Sequence, residues 1–312
     1  MLAPPLAPGK FADPLLTRDG APRAVVPFTK LQTLWLNTGT LCNIECQSCY
    51  IDSSPTNDRL DYLTRAEARL YLDEAAAMGA AEIGFTGGEP FMNPDLAGMA
   101  EDALSRGFSV LILTNAMRPA MRPRARAETR RLAQDYGRRL TLRVSLDHHT
   151  ALYHDEERGP GAFALALEGL KALAADGASL AVAGRTRWNE SEHDAREGYR
   201  ALFKANALPI DADDPAQLVL FPEMDARVDT PEITEACWGI LNKRPESVMC
   251  ASSRMVVKRK GAAAPAVLAC TLIVDDPQFE MGATLAAAAR PVRLNHPHCS
   301  RFCVLGGASC SA

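Results

Sequence analysis

The sequence contains no run of about 18 apolar residues, the length a helix needs to cross a bilayer, so it offers no transmembrane segment. Its N-terminus has no charged stretch leading into an apolar core, which excludes a secretory signal. It also has no basic surplus: 34 Lys and Arg face 38 Asp and Glu, a net charge of −4, with an isoelectric point of about 5.9. Proteins dedicated to nucleic acid carry such a surplus, so neither nucleic acid nor a membrane is expected as a partner. The one basic cluster, Arg118, Arg122, Arg124, Arg126, Arg130 and Arg131, has few acidic neighbours in sequence and reads as a solvated helix face. There is no internal repeat and no low-complexity tract. These absences place the chain in the reducing cytoplasm, where disulfides are rare.

Against that background the nine cysteines stand out. A chain of 312 residues can bury a full core without staples, so the cysteines are expected to bind metal or do redox chemistry.

Residues 1–30 are proline-rich and read as an irregular lead-in. From Leu31 short apolar runs alternate with longer amphipathic stretches. The predicted strands are Thr33–Asn37, Glu82–Thr86, Ser109–Thr114, Thr141–Leu146, Ser179–Ala183 and Gln217–Phe221. The predicted helices are Arg65–Met78, Pro94–Ser105, Ala127–Tyr136, Ala162–Ala175 and Glu192–Lys204. Strands joined by helices form βαβ units and a parallel sheet. The expected fold is α/β, a partial (β/α)6 barrel over residues 31–222, with an open doubly wound sheet as the alternative. After Glu223 the rhythm breaks. A short helix near Trp238–Leu241, a hairpin of Arg254–Lys258 and Ala266–Cys270 turning at Gly261, and a helix at Leu285–Ala289 make 223–312 a small appended module. It is too irregular to hold together by apolar burial alone, and a metal would supply the deficit.

Cys42, Cys46 and Cys49 have the spacing C-x3-C-x2-C in a loop directly after the first strand. Thiolates that close select zinc or iron–sulfur. Structural zinc wants four closed ligands, whereas a cluster held by three leaves one iron open. His148, His149 and His154 could in principle complete a zinc site. A second element, Gly87-Gly88-Glu89-Pro90, follows the second strand. Its glycines permit close backbone approach, and Glu89 would offer a carboxylate to an ammonium group at the strand ends, where α/β sheets bind ligands.

The two elements together resemble the radical S-adenosylmethionine (SAM) superfamily. The resemblance implies that Cys42, Cys46 and Cys49 hold a catalytic [4Fe–4S] cluster whose open iron chelates SAM, and that Gly87, Gly88, Glu89 and Pro90 bind the SAM amino group. Thr114-Asn115, Ser145-Leu-Asp147, His154-Asp155, Arg158-Gly159 and Gly161-Ala-Phe163 are similar to further family segments. By this likeness Asn115, Ser145 and Asp147 contact SAM and Arg158 grips its carboxylate, a task suited to a guanidinium fork. Arg185 and Arg187 are weaker candidates. The residue before the third cysteine is commonly aromatic in the family. Here it is Ser48, and Tyr50 is expected to cover the adenine instead.

Cys250, Cys270, Cys299, Cys303 and Cys310 resemble the Twitch or SPASM modules of the same superfamily, although the Gly261–Cys270 spacing and the tail depart from the usual pattern. The resemblance implies one auxiliary [4Fe–4S] cluster on Cys250, Cys270, Cys299 and Cys303, with Cys310 as substitute and a zinc knuckle as the alternative. Cys237 reads as a buried free thiol. The implied chemistry is reductive cleavage of SAM to a 5′-deoxyadenosyl radical, which abstracts hydrogen from a small-molecule or peptide substrate. The electron comes from a donor such as flavodoxin or ferredoxin. With about thirty residues before the first strand, neither a cobalamin domain nor a leader-peptide-binding domain is expected there, which mildly favours a small metabolite over a ribosomal peptide, a peptide presented by a separate partner being the alternative. The rival reading is a non-catalytic zinc- or cluster-binding protein for interaction or electron transfer. It accounts for the cysteines but not for the motifs at successive strand ends.

Overall fold

The computed structural model describes residues 4–309. Strand β1 (Val25–Val26) lies in the lead-in. Six strands then alternate with helices: β2 (Thr33–Asn37), α1 (Arg65–Ala77), β3 (Glu82–Thr86), α2 (Leu96–Ser105), β4 (Ser109–Thr114), α3 (Arg118–Met121), α4 (Pro123–Tyr136), β5 (Leu140–Ser145), α5 (Ala151–Arg158), α6 (Ala162–Ala175), β6 (Ser179–Arg185), α7 (Glu192–Ala205) and β7 (Leu218–Phe221). The C-terminal part adds α8 (Cys237–Ile240), β8 (Ser253–Val257), β9 (Ala266–Leu268), β10 (Glu280–Gly282), α9 (Leu285–Ala288), β11 (Val292–Arg293) and a π-helical turn over Cys299–Leu305.

Strands β2 to β7 pair in sequence order, all parallel, so each connection must cross over through its helices. Every residue of β2 is buried, because the sheet is covered on both faces. Trp35, Phe85, Leu142 and Val182, from β2, β3, β5 and β6, are all completely buried. Each such side chain contributes about 1.5–3 kcal/mol by leaving water. The sheet ends on β10 at one edge and β7 at the other, which do not pair. It is therefore an open sheet of nine strands, in which β2 to β7 are the six parallel strands of the predicted partial barrel.

The local chemistry sets the helix starts. Thr64 and Glu67 form a reciprocal capping box on α1. Pro123 opens α4 four residues before the predicted Ala127, since proline's fixed φ suits the first helical position. Asp155 accepts from the N–H groups of Gly161 at 2.8 Å and Phe163 at 2.7 Å, tying the start of α6 to α5. Helix α5 itself was not among the predicted helices. The arginine cluster is better paired than its sequence neighbours indicate. Arg126 and Arg130 meet Asp176, Arg131 meets Glu101 and Asp135, and Arg124 meets Glu128.

The C-terminal part is stitched to the barrel. Strand β8 runs parallel to β2 on the edge away from β3, and β9 folds back antiparallel on β8. Strand β1 pairs with β11. Cys237 is a half-buried rather than a buried thiol, accepting from the Thr234 N–H at 3.4 Å. Among the described residues no helix is long and apolar enough to cross a membrane.

Candidate functional site

The loops at the C-terminal ends of the parallel strands enclose one large cavity. Cys42, Cys46, Cys49 and Tyr50 line it from the loop after β2, and Gly87, Gly88 and Pro90 from the turn after β3. Asn115, Ser145, Asp147 and Arg158 line it from β4, β5 and α5. Glu89 is the one expected cofactor-binding residue that does not. Phe221, Met224, Leu272 and Phe302 supply an apolar wall.

The glycine pair is required by the cysteine loop itself. A Cβ on Gly88 would sit 2.2 Å from the Leu41 carbonyl oxygen, and one on Gly87 would sit 2.6 Å from that of Gly39. The Gly88 N–H donates to Gly39 at 2.9 Å and the Glu89 N–H to Leu41 at 3.1 Å. The close approach is thus backbone to backbone, and it clamps the cysteine loop onto β3.

Glu89 is fully buried and turned inward. Its carboxylate accepts from Thr114 Oγ1 at 2.9 Å, the Asn115 N–H at 2.8 Å and the Phe91 N–H at 3.2 Å. Burial outweighs these bonds and pushes its pKa up to about 7. The Asn115 amide reaches Asn43 at 2.9 Å and the Cys42 sulfur at 3.9 Å.

Burial pushes the Cys42 thiol up to about 12, with Glu89, Cys46 and Cys49 adding to the rise, and burial raises Cys46 in the same direction. Burial thus disfavours the Cys42 and Cys46 thiolates, and a bound metal reverses that balance outright. The donor set therefore fits a soft metal centre. No three cysteine sulfurs lie within 4.8 Å of one another among the described residues.

Arg158 Nε and Nη2 donate to the two oxygens of Asp147 at 2.5 and 3.1 Å. Burial opposes the arginine's charge, but Asp147 outweighs it and holds the guanidinium protonated. His154, completely buried, accepts the Asp147 N–H on Nδ1 at 3.1 Å and so fixes this pair. Sequence reasoning had not placed a second buried network nearby. Ser48 donates to Glu157, and Arg185 donates to Ser48 and to Glu157, the latter at 3.1 Å. Arg187 joins it through Glu157. Arg185 Nε and Nη2 make no hydrogen bond among the described residues, and Glu223 stands 3.9 Å from Nη2.

His148 and His149 do not line the cavity and do not complete the cysteine triplet. Their Nε2 atoms face Glu190 instead, at 3.3 and 3.7 Å, tying the segment after β6 to the turn after β5. The imagined zinc site with these histidines is not formed.

A second, smaller cavity is lined by Cys250, Cys270, Cys299 and Cys303 together with Val248, Leu272, Phe279, Leu294 and His298. All four expected auxiliary ligands meet there. Cys310 lies outside the described residues. Burial pushes the Cys250 thiol up to about 12 and the Cys299 thiol well up.

Residues 36–184 match the family described as the radical SAM superfamily. That match makes residues 36–184, just under half of the chain, a radical SAM domain. Such a domain implies SAM and a [4Fe–4S] cluster as cofactors. Among curated relatives the chain is 32% identical over 136 residues to the AdoMet-dependent heme synthase of Methanosarcina barkeri, covering 42% of this chain and 36% of that one. It is 33% identical over 136 residues to the mycofactocin maturase MftC of Mycobacterium tuberculosis, covering 44% and 32%. The matches thus span about a third of those relatives' length. Among solved structures, SuiB of Streptococcus suis bound to S-adenosylmethionine superposes with a TM-score of 0.59 at 12% identity, over 81% of this chain and 63% of that one. The anSMEcpe structure with bound AdoMet gives 0.57 at 13%, over 82% and 80%. At these identities the likeness speaks for the fold.

Proposed function

We propose that this radical SAM enzyme acts on a peptide, using SAM at Cys42, Cys46 and Cys49 and an auxiliary cluster at Cys250, Cys270, Cys299 and Cys303. The observation that carries the reading is the convergence of the three cysteines, Gly87-Gly88, Asn115, Ser145, Asp147 and Arg158 on one cavity at the strand ends. When bound, the cluster and SAM supply reductive cleavage and a 5′-deoxyadenosyl radical. The residues bind, orient and shield. Cys42, Cys46 and Cys49 are the thiolate ligands. Asp147 and Arg158 present opposite charges to the methionine end of SAM, and Tyr50 borders the space for the adenine. Glu89 acts from behind, holding the Thr114–Asn115 strand end against the cysteine loop.

Arg158 already holds Asp147 in a two-point pair, so a SAM carboxylate would have to share its fork. Arg185 has two buried N–H groups without hydrogen bonds and faces the same cavity. This supports Arg185 as a second anchor for a carboxylate, from SAM or from substrate. Peptide substrates are favoured over small metabolites by the relatives named maturases, by the subtilosin biosynthesis protein AlbA of Bacillus subtilis, 28% identical over 143 residues, and by SuiB having been solved with its precursor peptide SuiA.

The four C-terminal cysteines meet in one enclosure and are read as the ligands of a [4Fe–4S] cluster. The test is anaerobic turnover after cluster reconstitution, with candidate peptides and a reduced electron donor, following 5′-deoxyadenosine and product mass. A colourless, zinc-loaded protein that leaves SAM intact would overturn the reading.

A further inference from the structure

Arg254 on β8 is 1% exposed. Among the described residues its guanidinium donates only to carbonyl oxygens: those of Cys250 and Ser253 at 2.6 Å, and of Ala288 and Arg290 at 2.9 Å. Its other face lies over the Phe28 ring, 4.5 Å from the centroid. The charged or ionisable groups around it are the Cys250 and Cys270 thiols and another cation, Arg290. The buried Arg23 and Arg158 differ, each holding a carboxylate, Glu232 at 2.7 Å and Asp147 at 2.5 Å. A buried cation without a counter-charge is costly. Arg254 therefore points to an anion that no carboxylate among the described residues supplies.

A second group makes the same demand independently. His298 borders the four-cysteine cavity and is 6% exposed. Its Nδ1 is buried without a hydrogen-bond partner among the described residues, and such a group calls for an acceptor. An anion with acceptor sulfurs, seated among Cys250, Cys270, Cys299 and Cys303, answers both. A cluster held by four thiolates is such an anion, and it gains one further negative charge on reduction.

We propose that Arg254, as counter-charge, and His298, as hydrogen-bond donor, set the potential of the auxiliary cluster and raise it. This rests on the reading of the four cysteines as its ligands. Net charge, hydrogen bonds to sulfur and burial are the levers on such potentials. A fixed cation and a donor both favour the reduced form over the oxidised one. Neither residue is a ligand or touches substrate; both act through the cluster.

The experiment uses the full chain with Cys42, Cys46 and Cys49 replaced by Ala, which isolates the second site. In this background Arg254→Met, Arg254→Lys and His298→Phe are compared by redox titration monitored by electron paramagnetic resonance. Arg254→Met and His298→Phe are each expected to lower the reduced-to-oxidised ratio at fixed potential by about tenfold, about 59 mV for one electron. Arg254→Lys keeps the charge and should stay near the parent. A merely structural role would change the amount of cluster and leave its potential unmoved. Unchanged potentials in both His298→Phe and Arg254→Met overturn the proposal, and should Arg254→Met fail to fold, an unchanged His298→Phe does so. Absence of iron from the parent triple variant would instead overturn the ligand reading on which it rests.

Discussion

The two cysteine sites differ in how they are made. Cys46 and Cys49 sit half-buried in a loop facing a wide cavity, and only Cys42 is deeply buried. Cys250, Cys270 and Cys299 are all buried, with Cys303 half-buried, in a small apolar enclosure. The first loop is clamped by backbone bonds to the turn after β3. The second site joins the short helical turn at Met249–Ala251, the β8–β9 hairpin and the π-helical turn at Cys299–Leu305. Three thiols beside an open cavity leave room for a ligand; four in an enclosure leave none. The barrel carries its site, whereas the second site helps to carry its surroundings.

The sharpest way to break this contrast is to replace Cys42, Cys46 and Cys49 together with Ala. Formation of 5′-deoxyadenosine should be abolished while the thermal midpoint stays close to that of the parent, and iron should fall from about eight to about four per chain. A large loss of stability would erase the distinction. The converse variant, Cys299→Ala with Cys303→Ala, should empty the second site and loosen its segment. Amide exchange in β8 and β9 should then accelerate by about tenfold or more, about 1.4 kcal/mol, since metal binding there doubles as folding energy. Exchange rates equal to the parent's would contradict that.

Within the open site, Arg158→Ala and Arg185→Ala separate two anchors. Losing one charge-assisted bond should weaken SAM binding by about 1.5–3 kcal/mol, roughly 10–150-fold. Equilibrium binding to each variant reads which arginine meets SAM; parent-like affinity in both would remove the pair from the assignment. The smallest effect concerns the barrel alone. Asp102 accepts two bonds each from Arg65 and Arg69, and the Arg65 bond chiefly holds its carboxyl well below the usual range. Such a carboxylate stabilises the fold above its unfolded pKa of about 3.9. That contribution fades as pH falls through the lowered folded value. Both arginines are substantially exposed, so Asp102→Asn should cost only about 1 kcal/mol at pH 7. In urea titrations the gap to the parent should close under strongly acidic conditions.

The strands were legible because a sheet buried on both faces writes unbroken apolar runs; all six begin within one residue of their predicted starts. The meeting of Cys42 with Ser145, Asp147 and Arg158 was legible through the resemblance, since strand ends of a parallel sheet share one rim. Other features depend on orientation, which spacing does not encode. Glu89 reads equally well as pointing at a ligand or at Thr114, and only the packed structure chooses. The eight residues of α5, with two glycines close behind them, are too short for a clear helical period. Arg254 and His298 carry no motif, and their meaning lies in being buried without the partners such groups need.

Leu272 lines both cavities, and Phe302, on the wall of the first, is followed in the chain by Cys303 on the wall of the second. A single thickness of side chain thus partitions the two compartments. A guest that pushes Leu272 aside in the open chamber must press on the closed one, so occupancy of the first is mechanically audible in the second.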